Sequence, residues 1–231
     1  MSSNAPPTLT SRQVAEVDRL AQERFGISVE WLMEAAGWQV ARFCLRRTAV
    51  VCGVGNNAGD GLAAARHLHR WGRLSGVSCV DASRLHRAAA LERDALRKVG
   101  VEVSTELNLE GAEVVVDAIF GTGLSRAPEG KFAAWIKAIN SSGSQVVAID
   151  VPSGLDADTG VAYAPCVHAT TTVTLGLAKP GLLSGDGPAR AGDVWVADIG
   201  VPFEAYAAVG VEVPRHLFAK SDRFQLSASE A

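Results

Sequence analysis

A chain of 231 residues, 48% hydrophobic and 20% charged, carries enough apolar material for one large core, which excludes disorder as its default state. The formal net charge of -3 and a pI near 6.0 give no broad field for nucleic acid or an anionic membrane, so anion binding must be local and the expected partner is a small molecule. The four cysteines form no C-x-x-C pair, and with Cys52 and Cys79 inside apolar runs they read, together with Cys44 and Cys166, as reduced, buried thiols of a cytosolic protein.

Residues 1–8 are a polar, proline-containing leader, expected to be disordered, without the basic segment and apolar core of a secretory signal. Thr10-Ser11 can cap a helix from Arg12 to Arg24 whose apolar stripe is Val14, Val17, Leu20 and Ala21. Ser28 opens a second helix to about Arg46, with Ala36-Gly37 permitting close packing. These two helices precede the first strand and are expected to cover one sheet face and to contribute to a homodimer contact. Strand Val50–Val54, helix Asp60–Trp71, strand Val77–Val80, helix Ser83–Val99 and a short strand at Val101–Ser104 follow. Strand Glu113–Ala118, helix Lys131–Asn140 and strand Gln145–Ile149 complete the alternation. The strands are continuous Val/Ile/Ala runs, which predicts burial on both faces: a largely parallel sheet in a Rossmann-like three-layer α/β/α sandwich with two extra N-terminal helices. Beyond Gly160, T-T-T-V-T-L-G-L and D-V-W-V-A-D-I-G read as strands without a helix between them, extending one edge and partly antiparallel. One domain is expected over residues 9–213, and a loosely ordered tail over 214–231; no apolar run approaches membrane-spanning length.

Ligands of open parallel sheets bind beyond the carboxyl ends of the strands. Three such ends carry unusual residues. The first, V-V-C-G-V-G-N-N-A-G-D-G from Val50, matches a phosphate-binding turn loosely, because Ala58 stands where a third glycine is due; Asn56 and Asn57 are either turn formers or ligand-binding amides. Asp117 closes a second strand before the glycine-rich loop Gly121–Gly130, and Asp150 closes a third before Val151-Pro152-Ser153-Gly154. Each acid either pins its own loop or serves a shared crevice with Asn57, and Asp60 either faces the helix dipole or the same ligand. Carboxylate, amide and hydroxyl oxygens suit an alkali or alkaline-earth ion, and the lack of a Cys/His cluster argues against zinc. His67 and His69 read as surface residues, Asp156 and Asp158 as a solvated turn, and Lys179 as the partner of an acid or a phosphate. Asp81 stands where a dinucleotide fold places its ribose-reading acid, which keeps a dehydrogenase reading open.

Taken together, L-M-E-A-A-G-W, G-V-G-N-N-A-G-D-G, V-D-A-I-F-G-T-G-L, A-I-D-V-P-S-G-L-D-A-D-T-G, T-V-T-L-G-L-A-K-P-G-L and V-A-D-I-G-V-P resemble, in order from Leu9 to Pro202, the NAD(P)H-hydrate epimerases of the YjeF N-terminal type. The resemblance implies interconversion of the R and S forms of hydrated NADH and NADPH, a cytoplasmic cofactor-repair step that serves a separate ATP- or ADP-dependent dehydratase. It implies substrate contacts at Asn56, Asn57, Ala58, Gly59 and Asp60, at Gly121, Thr122, Gly123, Leu124, Ser125, Arg126 and Ala127, and at Asp150. It also implies one potassium ion held by Asn57, Asp117 and Ser153. Ala58 replaces a usual glycine and is expected to narrow the approach; Arg126 stands where some relatives have lysine, against a lysine-based proton transfer there. In the implied chemistry the hydroxyl at nicotinamide C6 leaves to give an iminium-like cation and water returns on the other face, with ring opening as an alternative route. Asp150 is the first candidate for proton transfer and Asp117 the second. A non-catalytic nucleotide-binding or scaffolding module of the same fold is the competing reading. The catalytic account built on Asp150 and Asp117 requires both acids at one opening.

Overall fold

The computed structural model describes residues 6–226. Two helices, α1 (Ser11–Glu23) and α2 (Val29–Ala41), precede β1 (Thr48–Cys52). Then come α3 (Asn56–Arg70), β2 (Leu74–Cys79), α4 (Arg87–Lys98), β3 (Val103–Ser104), β4 (Val114–Ala118), α5 (Gly130–Asn140), β5 (Gln145–Ile149) and β6 (Thr171–Leu175). The chain ends in α6 (Gly187–Ala191), β7 (Asp193–Ala197), α7 (Phe203–Ala208) and β8 (Arg223–Gln225). The strands form one sheet in the order β3-β2-β1-β4-β5-β6-β7-β8, parallel except for the antiparallel β7/β8 pair. The expected α/β/α sandwich with two extra helices is therefore the observed fold.

Alternation along each strand divides the core. Val50, Cys52, Val114, Val116, Val147 and Ile149 pack with residues of α2, α3 and α4, whereas Val51, Val115 and Val146 pack with Trp135, Ile136 and Ile139 of α5. All four cysteines are free and buried. The layer above the first face is tight because Gly37 lets α2 lie on α3: a Cβ there would fall 2.5 Å from Ala63 Cβ. The chain runs outward through β2 and β3, then returns to the other side of β1 with β4. This reversal opens a crevice at the carboxyl ends of β1 and β4.

Several expected boundaries move. α3 begins at Asn56, four residues before Asp60, since Gly55 serves as N-cap without a side-chain bond and the Asn pair forms the first helical turn. α2 stops at Ala41, short of Arg46. β7 runs parallel to β6, and a Pro180–Leu182 turn and α6 fill the segment expected to lack a helix; a parallel pair needs such a crossover. The tail supplies the antiparallel strand: β8 pairs with β7, and Arg42 binds Asp222 beside it at 2.9 Å. Polar residues suit a strand whose outer edge meets water, which is why periodicity did not reveal it. In the leader, Thr8 bridges to Ala178; residues 1–5 and 227–231, parts of the expected leader and tail, lie outside the described residues. His67 is buried against Trp38 and Trp71, with Nε2 3.0 Å from Glu34 though off hydrogen-bond alignment, so it is no surface residue. Its ring closes the α2–α3 contact, and burial lowers its proton affinity despite Glu34. No helix among the described residues is long and apolar enough to cross a membrane.

The α2–α3 contact predicts that Gly37→Ala lowers stability by about 1–3 kcal/mol through overpacking. Gly76→Ala, whose Cβ would meet nothing within 4 Å, stays within about 0.5 kcal/mol of the parent. Urea unfolding of both variants measures the difference.

Candidate active site

A cavity of about 700 Å³ lies at the crevice. Gly55, Asn56, Asn57 and Asp60 enter it from the β1–α3 turn, Phe120 to Leu124 from the loop after β4, Asp150 from the end of β5, and Gly176 and Lys179 from the segment after β6. Asp18 of α1, Met33 of α2 and Tyr206 of α7 complete the wall. Gly53 allows the turn to pass the next strand's loop, because a Cβ there would lie 2.1 Å from the Ile119 carbonyl oxygen.

Asp150 occupies the crest of β5 with φ 68°, a left-handed conformation that few non-glycine residues adopt. Its Oδ1 accepts hydrogen bonds from the Leu175 backbone N–H at 3.1 Å, the Thr174 hydroxyl at 3.3 Å and the Lys179 ammonium. Lys179, 1% exposed, also donates to the Leu175 carbonyl at 2.8 Å. Oδ2 of Asp150 has no hydrogen-bond partner among the described residues, and Asp150 remains 8% exposed at the cavity. Lys179 thus pairs with an acid, one of its two expected roles.

Asp117 is placed differently. It is fully buried, does not line the cavity, and accepts from Ser153 Oγ at 2.6 Å, Ser153 N at 2.8 Å and Ile119 N at 3.2 Å. Ser153 Oγ accepts in turn from Phe120 N at 2.8 Å. Burial raises the Asp117 pKa to about 6, the Ser153 and Ile119 donors pulling the other way. The expectation that both acids open on one cavity fails for Asp117: it is the loop-pinning residue beneath the floor, and its place as second proton-transfer candidate is withdrawn.

Of the remaining expected contacts, Asn56, Asn57, Asp60, Gly121, Thr122, Gly123 and Leu124 line the cavity. Ala58 is fully buried in the main core, Gly59 packs on Met33, and Ser125, Arg126 and Ala127 lie off the cavity, the helical turn and loop having carried them away. Ala58 therefore does not narrow the approach. Asp81 accepts from Ser83 N at 3.0 Å and Ser83 Oγ at 2.6 Å, a local turn outside the cavity wall, which removes the ribose-reading acid of the dehydrogenase reading. Asp156 holds its own turn, accepting from Thr159 N at 2.8 Å, while Asp158 accepts from Ser11 N at 2.6 Å and fastens the start of α1. Asp18 and Lys179 also line the cavity; Asp18 is absent from the expected residues, and Lys179 was expected only as the partner of an acid or a phosphate. The signal for Asp18 was an acid four residues after Val14 and three before Ala21, on the apolar stripe of α1.

Residues 29–181 match the family described as YjeF-related protein N-terminus. The chain belongs to that family. Among relatives, the NAD(P)H-hydrate epimerase of Dehalogenimonas lykanthroporepellens is 33% identical over 96% of this chain and 94% of its own length. That of Limosilactobacillus fermentum is 39% identical over 82% of this chain and 95% of its own. The bifunctional NAD(P)H-hydrate repair enzyme Nnr of Thermofilum pendens is 41% identical over 82% of this chain, which spans 39% of that relative, less than half of its length. The crystal structure of yeast YNL200c superposes with a TM-score of 0.79 at 24% identity, over 95% of this chain and all of its own, showing the same fold.

The buried pair gives a direct test. Lys179→Met leaves Asp150 buried without its cation and is expected to cost about 3–5 kcal/mol. Adding Asp150→Asn to that variant should recover part of the loss, as read from a double-mutant cycle in urea.

Proposed function

We propose that the protein epimerises the R and S forms of hydrated NADH and NADPH at nicotinamide C6. The observation that carries this reading is Asp150, held through Oδ1 by Lys179 with Oδ2 unpartnered at the wall of a 700 Å³ cavity that also receives the first turn of α3. The relatives named NAD(P)H-hydrate epimerase support it.

Free backbone N–H groups at the start of α3, beside Asn56 and Asn57, suit the pyrophosphate. The nicotinamide end then lies toward Asp150. Loss of the C6 hydroxyl generates positive charge on the ring, and a fixed carboxylate stabilises that charge more than the neutral ground state. With Oδ1 engaged by Lys179 and Oδ2 free, Asp150 is placed to stabilise that charge, the role given to it here in place of the proton transfer expected from the sequence. Addition of water to the opposite face inverts the centre. A cytoplasmic protein acting ahead of a separate dehydratase, and a homodimer using the exposed Trp31 and Trp38 of α2, accord with this reading.

Potassium binding is part of the proposal. Asp117 is a fully buried carboxylate with no ion pair among the described residues, and the buried Asn57 side chain lies beside Gly121. Buried charges without a cation are unusual, and the amide, carboxylate and Ser153 hydroxyl form an all-oxygen set fit for a hard cation. When bound, the ion would neutralise Asp117 and fix the loop after β4.

Two experiments follow. Asp150→Asn should fold yet lose at least about 100-fold in epimerisation of R-form hydrated NADH, followed by coupling to an S-specific dehydratase; wild-type turnover by the variant removes Asp150 from the mechanism. Exchange of tetramethylammonium for potassium at constant ionic strength should stabilise the protein by about 1 kcal/mol once the ion is at five times its dissociation constant, and Asn57→Ala should abolish that increment in thermal melts.

A further inference from the structure

We propose that Asp18 is the catalytic acid that carries the proton to and from the C6 oxygen, working against the fixed charge of Asp150. This inference rests on the epimerase reading and completes it.

Asp18 reaches the cavity from α1, outside the segment matched to the family and away from the glycine-rich turns. Two contacts set α1 there: Thr8 bridges to Ala178, next to Lys179, and Asp158 accepts from the Ser11 N–H at the first turn. Its apolar stripe packs with Leu177 and with Tyr206 of α7, and Asp18, half-buried, borders that stripe on the cavity side of the helix. Within α1, the neighbouring Arg19 pairs with Glu16 and Glu23, leaving Asp18 without a cation from its own helix. Among the described residues the Asp18 carboxyl makes no hydrogen bond and no ion pair, whereas Asp150 holds Lys179.

The groups facing Asp18 come from every surrounding element: Asp60 from α3, Asp150 after β5, Lys179 after β6 and Tyr206 from α7. Burial raises the Asp18 pKa to about 6; Lys179 lowers it and Asp150 raises it. Asp60 is driven well above the usual carboxylate range by burial, then by Asp150 and Asp18. Asp18 is the acid that can release and recover a proton near neutral pH.

The step balances without a redox partner. The Asp18 proton passes to the C6 hydroxyl oxygen, the C6–O bond breaks with its electron pair on oxygen, and water leaves the ring cation. Water then bonds to C6 from the other face and returns a proton to the carboxylate, directly or through solvent.

Asp18→Asn keeps the shape and removes the exchangeable proton. Wild type and variant are compared with R-form hydrated NADH and an S-specific dehydratase from pH 5 to 8, the spontaneous rate being subtracted. Wild-type kcat/KM is expected to fall tenfold per pH unit above about 6, because the acid must start protonated. Asp18→Asn is expected to lose about 100-fold in kcat at pH 6 with KM changed less than threefold, and to lose this alkaline limb. A raised carboxyl pKa stabilises the native state at low pH and loses that contribution between the unfolded value near 3.8 and about 6. The variant, freed of this loss, should melt at or above wild type at pH 8, which separates a chemical defect from unfolding.

Unchanged kcat, a rise in KM alone, or a retained alkaline limb in the variant overturns the assignment. So does a wild-type profile with no limb near pH 6, even if the variant fails to fold. Absence of wild-type epimerisation is a different result: it removes the epimerase reading itself.

Discussion

The buried ion pair between Asp150 and Lys179 is the constraint on which the site depends. Lys179 is almost wholly enclosed, so its ammonium needs a carboxylate and carbonyl oxygens at fixed positions. Those partners come from the ends of two adjacent parallel strands, β5 and β6, and the pair locks these ends together. It also holds Asp150 in a left-handed conformation that its own backbone would not select. One oxygen of the carboxylate is thereby committed, and the other is left for the cavity.

The cavity joins opposite electrostatic ends. At the β1–α3 turn the glycine cap leaves backbone N–H groups free, and the helix dipole makes that side positive. At the β5–β6 side Asp150 meets the Lys179 ammonium, with Asp18 of α1 on the same cavity wall. The proposed substrate, with an anionic pyrophosphate and a ring that becomes cationic, matches this polarity. The cost is concentrated in the acids: Asp18 and Asp60 are half-buried without ionic partners among the described residues, and desolvation disfavours their charged forms. A well-packed frame, with α2 pressed on α3 through Gly37 and the sheet covered on both faces, carries that local cost.

Much of this frame was legible because its signals are local. Runs such as Val50–Cys52 and Val114–Val116 can only be strands buried on both faces, and their alternation with helical segments implies a parallel sheet. The acids closing β4 and β5 were found the same way, since a charged residue ending an apolar run is conspicuous. The strand at Arg223–Gln225 escaped notice because an edge strand tolerates polar residues, and the burial of His67 because it depends on Trp38, which lies 29 positions earlier.

The sequence by itself determined the fold class and marked the Asn56–Asp60 turn and the acids closing β4 and β5, each through a pattern within a few residues. Only the tertiary structure separated Asp150 from Asp117: both close apolar strands, yet one lines the cavity while the other is held beneath it by Ser153. It alone brought Asp18 and Lys179 to the same wall, 161 positions apart in the chain. Periodicity tells a side chain which face of its own element it occupies; what that face meets is decided by the packing of elements remote in sequence.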